Sequence, residues 1–221
     1  MPPVEPAPLP LPPELPAALE QTPLAALEHD MTVRERELSE LSLAEQRARG
    51  VSLQGVRLRH VELARSRLEH LRVSDAALES CNLANLEAPS AHLSRVTIVD
   101  SRLTGLELAE STLSDITFSN CRIDLASFGF ATLERVSFEG CLLTQAGFIE
   151  SRLQAVRFQD CDLGGCDLRG ARLRRCEIRR CELRGLEGVT SLRGVAMEAQ
   201  AIVAMADVWA SSLGIELLDG E

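Results

Sequence analysis

From Leu53 to Leu183 the chain places an apolar residue at every fifth position and never loses step. The series opens Leu53, Leu58, Leu63, Leu68, Val73, and 26 of its 27 members are large; Ala88 is the one small member. Two residues before each centre stands only Ala, Cys, Ser, Val, Ile or Leu, and the remaining three positions of each quintet are mostly polar or Gly. A period of five fits neither the 3.6 of an α-helix nor the 2.0 of a plain strand. It fits a chain that turns a corner every five residues, with the centre and the residue two before it directed inward. Such self-similarity marks a stacked repeat, in which each unit buries its apolar side only against its neighbours.

The number of corners per coil follows from a second, longer period. Cys81, Cys121, Cys141, Cys161 and Cys181 share one phase of twenty, completed by Val61 and Ser101. Phe118, Phe138 and Phe158 share another, and Phe128 and Phe148 lie half a period away. Twenty residues divided into quintets give four faces per coil. Like residues then stack about 4.8 Å apart if coils pair as strands do, with Phe columns on two opposite faces. The five Phe and Cys121, Cys141, Cys161 and Cys181 are therefore expected in the core. With aromatics at only 3% of the chain, regular stacking of aliphatic side chains must fill most of the interior.

The quintets CNLAN (Cys81–Asn85), CDLGG (Cys161–Gly165) and CDLRG (Cys166–Gly170) resemble the A(D/N)Lxx signature of pentapeptide-repeat proteins. The resemblance covers roughly Leu41 to Gly188. It implies an all-β solenoid, a right-handed quadrilateral parallel β-helix, here of about seven coils over residues 41–190. Nine of the ten Pro fall within residues 1–23, so residues 1–16 read as an extended, mobile arm. Thr22 to Glu40 reads as helical, with Leu24, Leu27 and Met31 as its stripe, which makes residues 1–40 an arm plus a short helical segment. In residues 191–221 an amphipathic helix is expected from Ala199 to Leu213, with Ile202, Met205, Trp209 and Leu213 on one face. A short strand, Ile215 to Leu218 and including Leu217, would follow. Because the end of a solenoid exposes an apolar cross-section, this tail is expected to cap the stack and to pair two copies.

Composition and charge narrow the function. A net charge of −10, with all 23 basic residues Arg, opposes direct binding to nucleic acid or to an anionic membrane. No stretch of 18 apolar residues is present to span a bilayer. The N-terminus lacks the basic-then-apolar order of a signal peptide, and seven Cys without CxxC spacing do not form a secreted disulfide framework. The cytoplasm is the expected location. No Ser/His/Asp or Cys/His constellation and no phosphate-binding Gly loop stands out, so neither enzyme activity, a cofactor nor a metal is expected. The Cys column reads as inert packing, since buried Cys behaves as a small hydrophobe. His29, His60, His70 and His92 are scattered, the last three at outward positions.

Charge is uneven between faces. The face centred on Leu68, Ala88, Leu108, Phe128, Phe148 and Leu168 carries Glu69, Glu87, Glu107, Glu110, Glu150, Asp167 and Glu187 against Arg67 and Arg169. It also presents Phe130 and Ile149. The next face, centred on Leu53 to Leu173, is rich in Arg. Better-known pentapeptide-repeat proteins protect or inhibit bacterial type II topoisomerases as rod-shaped dimers whose acidic surface imitates DNA. The resemblance therefore implies a rod that binds DNA gyrase or topoisomerase IV, in drug protection or inhibition, through Glu69, Glu87, Glu107, Glu110, Phe130, Ile149 and Glu150. The Arg-rich face, the Pro-rich arm and the lack of projecting loops depart from that pattern. They leave open an adaptor or scaffold that binds another protein.

Overall fold

The computed structural model describes residues 7–216. Its centre is a stack of six eight-residue strands: Ser52–Arg59, Arg72–Glu79, His92–Val99, Thr112–Ser119, Thr132–Glu139 and Arg152–Gln159. All pair in parallel at an offset of twenty, so Val56, Ala76, Val96, Ile116, Val136 and Val156 form one column. Each long strand covers two faces and bends at its middle, at Gly55, Asp75, Arg95, Asp115, Arg135 or Ala155, where φ is positive. The other two faces carry single parallel bridges, such as Glu87↔Glu107↔Ser127. Corners in the left-handed region recur every fifth residue, from Asp30 to Gly185, which is what turns a five-residue sequence period into a four-sided coil.

The stack has about nine turns rather than seven. Val33, Leu38, Leu43 and Ala48 carry the five-residue step back before Leu53; Leu38 and Leu43 are each 1% exposed. Thr32–Arg34 and Arg36–Ser39 pair with the strand Ser52–Arg59. The helix expected over Thr22–Glu40 is therefore absent. A ready strand edge above the segment overrides a weak helical stripe, and Leu27 plugs the end of the core instead. At the far end the step breaks at Gly188, where a centre residue would stand. The chain drops inward into a 3₁₀ turn, Val189–Leu192, whose Val189 and Leu192 are buried. Ala196–Met197 adds one last pairing, to Glu177–Ile178.

The expected tail helix is two short ones, α1 (Ala199–Ala204) and α2 (Ala206–Ser212), broken at Met205. The break lets Met205 and Ala210 reach the end of the rod while Ile202 and Leu213 point outward, so no single continuous apolar stripe forms. Leu217 and Leu218 lie outside the described residues.

Inside, Phe138 is fully buried between Phe118 and Phe158, with ring centroids 4.8 and 5.0 Å away and planes nearly parallel. Phe128 and Phe148 stack at 4.9 Å on the opposite face and meet Phe138 edge-on, at 6.2 and 6.4 Å. Coil spacing sets the stacking distance, and the two columns interlock edge-to-face, a favoured aromatic geometry.

Residues 7–16 lie along the rod instead of trailing from it. The Ala7 N–H donates to Glu177 Oε1 (2.5 Å), that of Leu11 to Asp115 Oδ1 (3.1 Å) and that of Glu14 to Asp75 Oδ1 (3.0 Å). Arg157 Nη2 donates to the Ala7 carbonyl (3.1 Å). Contacts at Glu177, Asp115 and Asp75 in turn show the arm running antiparallel to the direction in which the coils accumulate.

Candidate protein-binding face

On the acidic face, residues at the same place in successive quintets form outward columns. Glu107 stacks between Glu87 and Ser127. Glu110, Phe130 and Glu150 occupy the corner position on three successive coils, all with positive φ (58°, 59° and 54°). Successive levels are tied by backbone bonds: the Glu110 N–H donates to Gly129 O, and the Phe130 N–H to Ile149 O, both at 2.9 Å. Phe130 is 64% exposed and Ile149 37%. A bulky residue in the left-handed region carries strain, and Phe130 is held there with its ring in water.

Ion pairing divides the acids of this face into two kinds. Arg67 bridges Glu69 (2.9 Å) and Glu87 (3.2 Å), and Arg169 bridges Asp167 (2.5 Å) and Glu187 (3.5 Å). The Arg169 hydrogen bond holds the Asp167 carboxyl below the usual carboxylate range. Glu107, Glu110 and Glu150 form no ion pair among the described residues. Acids without an ion-pair partner among the described residues thus sit mid-rod, around Phe130 and Ile149, while Glu69 and Glu87 lie toward the N-terminal end and share the single charge of Arg67. Summing charges by face finds the acidic side, but the Arg bridges that single out three acids depend on side-chain placement.

The neighbouring Arg-rich face is also partly self-neutralised. Arg95 makes a two-pronged pair with Asp75 (2.6 Å at both oxygens), and Arg135 does so with Asp115 (2.7 and 2.8 Å) and also meets Glu134.

The small inward position explains the cysteines. Sγ of Cys121, Cys141 and Cys161 donates to the carbonyls of Ile98, Phe118 and Phe138 (3.4, 3.5 and 3.3 Å), each 23 residues back. Ser66 and Ser111 use their hydroxyls in the same way. The position therefore selects a small side chain and can use a weak donor. All seven thiols are free, and no metal-ligating cluster occurs among the described residues. Burial pushes the Cys166 thiol up to about 12. Hydrogen bonding along the column, with burial, does the same for Cys141 and Cys161. Cys121 is shifted down by the bond from Cys141 but is just 2% exposed. Since thiolate character and access control reactivity, a thiol reagent should label at most Cys181, the one partly exposed Cys, before unfolding and all seven after it. Rapid native labelling of Cys141 or Cys161, counted by mass spectrometry, would contradict this packing.

At the tail, Met205 is buried and Trp209 half-buried, but Ile202 (48%), Val203 (74%), Leu213 (71%) and Ile215 (54%) are exposed. Among the described residues no helix is long and apolar enough to cross a membrane.

Parallel strands stacked at a constant offset of twenty around a four-cornered core define a β-solenoid of the repeat class. The family model for the pentapeptide repeat region matches residues 71–146 and 126–187, which together span more than half of the chain, and the chain belongs to the pentapeptide repeat family. Among solved structures, a trypsin-treated variant of QnrB1, a plasmid-mediated fluoroquinolone resistance protein, superposes with a TM-score of 0.54 at 14% identity. That match covers 92% of this chain and 100% of that one. A second trypsin-treated QnrB1 variant gives 0.50 at 13% identity, over 86% and 100%. HetL, a pentapeptide repeat protein from the cyanobacterium Nostoc involved in heterocyst differentiation regulation, gives 0.29 at 18% identity, over 76% and 90%. No curated protein matches the chain in sequence.

Proposed function

We propose that this protein is a non-enzymatic, cytoplasmic binding rod that acts on a type II topoisomerase by occupying part of its DNA-binding groove. The observation that carries the reading is the Glu110–Phe130–Glu150 column beside Glu107 and Ile149. It combines acids that lack Arg partners among the described residues with exposed apolar groups on a rigid scaffold. A groove built to neutralise phosphates presents Lys and Arg, and a stiff acidic ridge meets it without ordering cost. Fluoroquinolones act on these enzymes, and the fold is shared with a fluoroquinolone resistance protein.

The expected result is salt-sensitive association with purified DNA gyrase. Glu107→Arg with Glu110→Arg changes the local charge by four and should weaken association at least tenfold while leaving the fold intact, since such surface changes cost about 0.5 kcal/mol or less. Equal binding by wild type and double variant in a titration at low salt would remove the acidic face from the account.

The apolar groups exposed on the tail are proposed to pair two copies of the chain. Sedimentation should then report a dimer at micromolar concentration, reduced to a monomer by Leu213→Glu with Ile202→Glu. A wild-type monomer at high micromolar concentration would leave the tail as a cap alone.

A further inference from the structure

The arm and its seat share one spacing. Six coil steps separate the level of Glu177 from that of Gly55, where a β-carbon would lie 3.8 Å from Pro16 Cδ. At about 4.8 Å per step they span about 29 Å. The nine steps from Ala7 to Pro16 span about 28 Å at the roughly 3.1 Å rise of polyproline II. One three-residue turn of that helix thus covers two coils, and the hydrogen bonds obey this: Leu11 and Glu14 are three apart, and Asp115 and Asp75 two levels apart. One further step leads to Pro8, which has no N–H to donate, and to Ala155, which has no carboxylate to receive one.

The same three-residue recurrence governs burial. Ala7, Pro10, Pro13 and Pro16 are buried or half-buried, with Leu15 half-buried beside Pro16, whereas Leu9 (61%) and Leu11 (58%) project into water. Asp115 (6% exposed) and Glu177 (2%) are buried where the arm bonds to them, and Ser137 (1%) and Ala155 (4%), on the levels between, are buried as well. Each seat carboxylate is held in its ionised form. Arg95, then the Glu14 N–H, lower the Asp75 carboxyl, and Arg135, then the Leu11 N–H, lower that of Asp115. Burial works to raise Glu177, but the Ala7 N–H, Arg179 and Arg157 outweigh it.

We propose that this groove is a binding site for extended proline-rich peptides, read through the backbone as Pro, then a residue with a free N–H, then any residue, repeated, and that residues 7–16 are its resident, displaceable occupant. Pro10-Leu11-Pro12-Pro13-Glu14-Leu15-Pro16 is that pattern. The side chains of Leu9 and Leu11 contribute little to recognition because they face solvent; the seat reads prolines on the covered side of the arm and N–H groups that meet carboxylates. Tethering gives the arm an effective concentration on the order of millimolar, so a free peptide of the same chemistry competes poorly until the arm is weakened.

The test uses the full chain and a fluorescent peptide of residues 7–19. Leu11→Pro with Glu14→Pro keeps the arm in polyproline form while removing the two donors. The peptide should bind this variant at least tenfold more tightly than the native chain, by anisotropy, and a peptide carrying the same two prolines should bind neither. Asp115→Ala on the native chain should speed amide exchange at Leu11 at least tenfold, which tests the seat without altering the arm. Binding of the peptide to neither protein, or equal binding to both, would overturn the proposal, as would unprotected Leu11 and Glu14 amides in the native chain. None of these outcomes depends on a topoisomerase.

Discussion

Phe138→Ala should lower the stability of the rod by about 3–5 kcal/mol, the usual range for emptying an aromatic core site. Phe138 has 0% exposure and touches four other Phe rings, two face-on and two edge-on. The hole cannot close by collapse, because coil spacing is fixed by backbone pairing from Thr132 to Glu139 on both sides. Chemical denaturation followed by circular dichroism measures the loss, and a change below 1 kcal/mol would mean that the rings do not form a continuous stack. In a one-dimensional stack the damage also divides the molecule, so the two halves should unfold at separate midpoints in the variant.

The second large effect is expected at Gly188. A β-carbon there would stand 2.6 Å from Leu168 C and 2.7 Å from Arg169 Cα, closer still to the Arg169 nitrogen, and φ is +71°. Left-handed backbone alone costs a non-Gly residue roughly 1–2 kcal/mol, and here backbone atoms of the preceding coil must also move. Gly188→Ala should therefore detach the cap: Trp209, the single Trp, should shift its emission to the red, and the tail should melt before the rod. Gly194→Ala is the control. Its φ is +83° but nothing lies within 4 Å of the new carbon, so it carries the conformational cost without the collision. Equal effects of the two substitutions would show that the chain does not fold down onto Leu168 and Arg169.

The rod was legible in the sequence because its energetics are local and repeated. A centre such as Leu143 and its partner Cys141 report the inward direction within one quintet, and Phe118, Phe138 and Phe158 report the coil length. The ends were less legible. Val33, Leu38, Leu43 and Ala48 keep the step, but the polar residues around them, together with Leu24, Leu27 and Met31, mimic a helical stripe; strand pairing to Ser52–Arg59 decides the matter. The seat of the arm left no trace in pattern, because its bonds join backbone N–H groups to carboxylates 61, 104 and 170 residues away. Prolines in a row announce an extended chain and say nothing of what it rests on. The acidic face was legible as a sum of charges, but the three acids without an ion-pair partner among the described residues were not, since Arg67 and Arg169 each pair with two others, one of them on the next coil.

Competition with DNA tests the central claim most directly. A supercoiling assay of DNA gyrase at low salt, titrated with the wild-type chain and with the Glu107→Arg, Glu110→Arg variant, separates a rod that takes the place of DNA from one that binds elsewhere or not at all. The account predicts that the wild type alters supercoiling, or its inhibition by a quinolone, in a dose-dependent manner relieved by added DNA and by salt, and that the variant needs at least tenfold more protein for the same effect. Supercoiling unchanged by the wild type at low salt, with and without the drug, would contradict DNA mimicry and leave an adaptor for another protein.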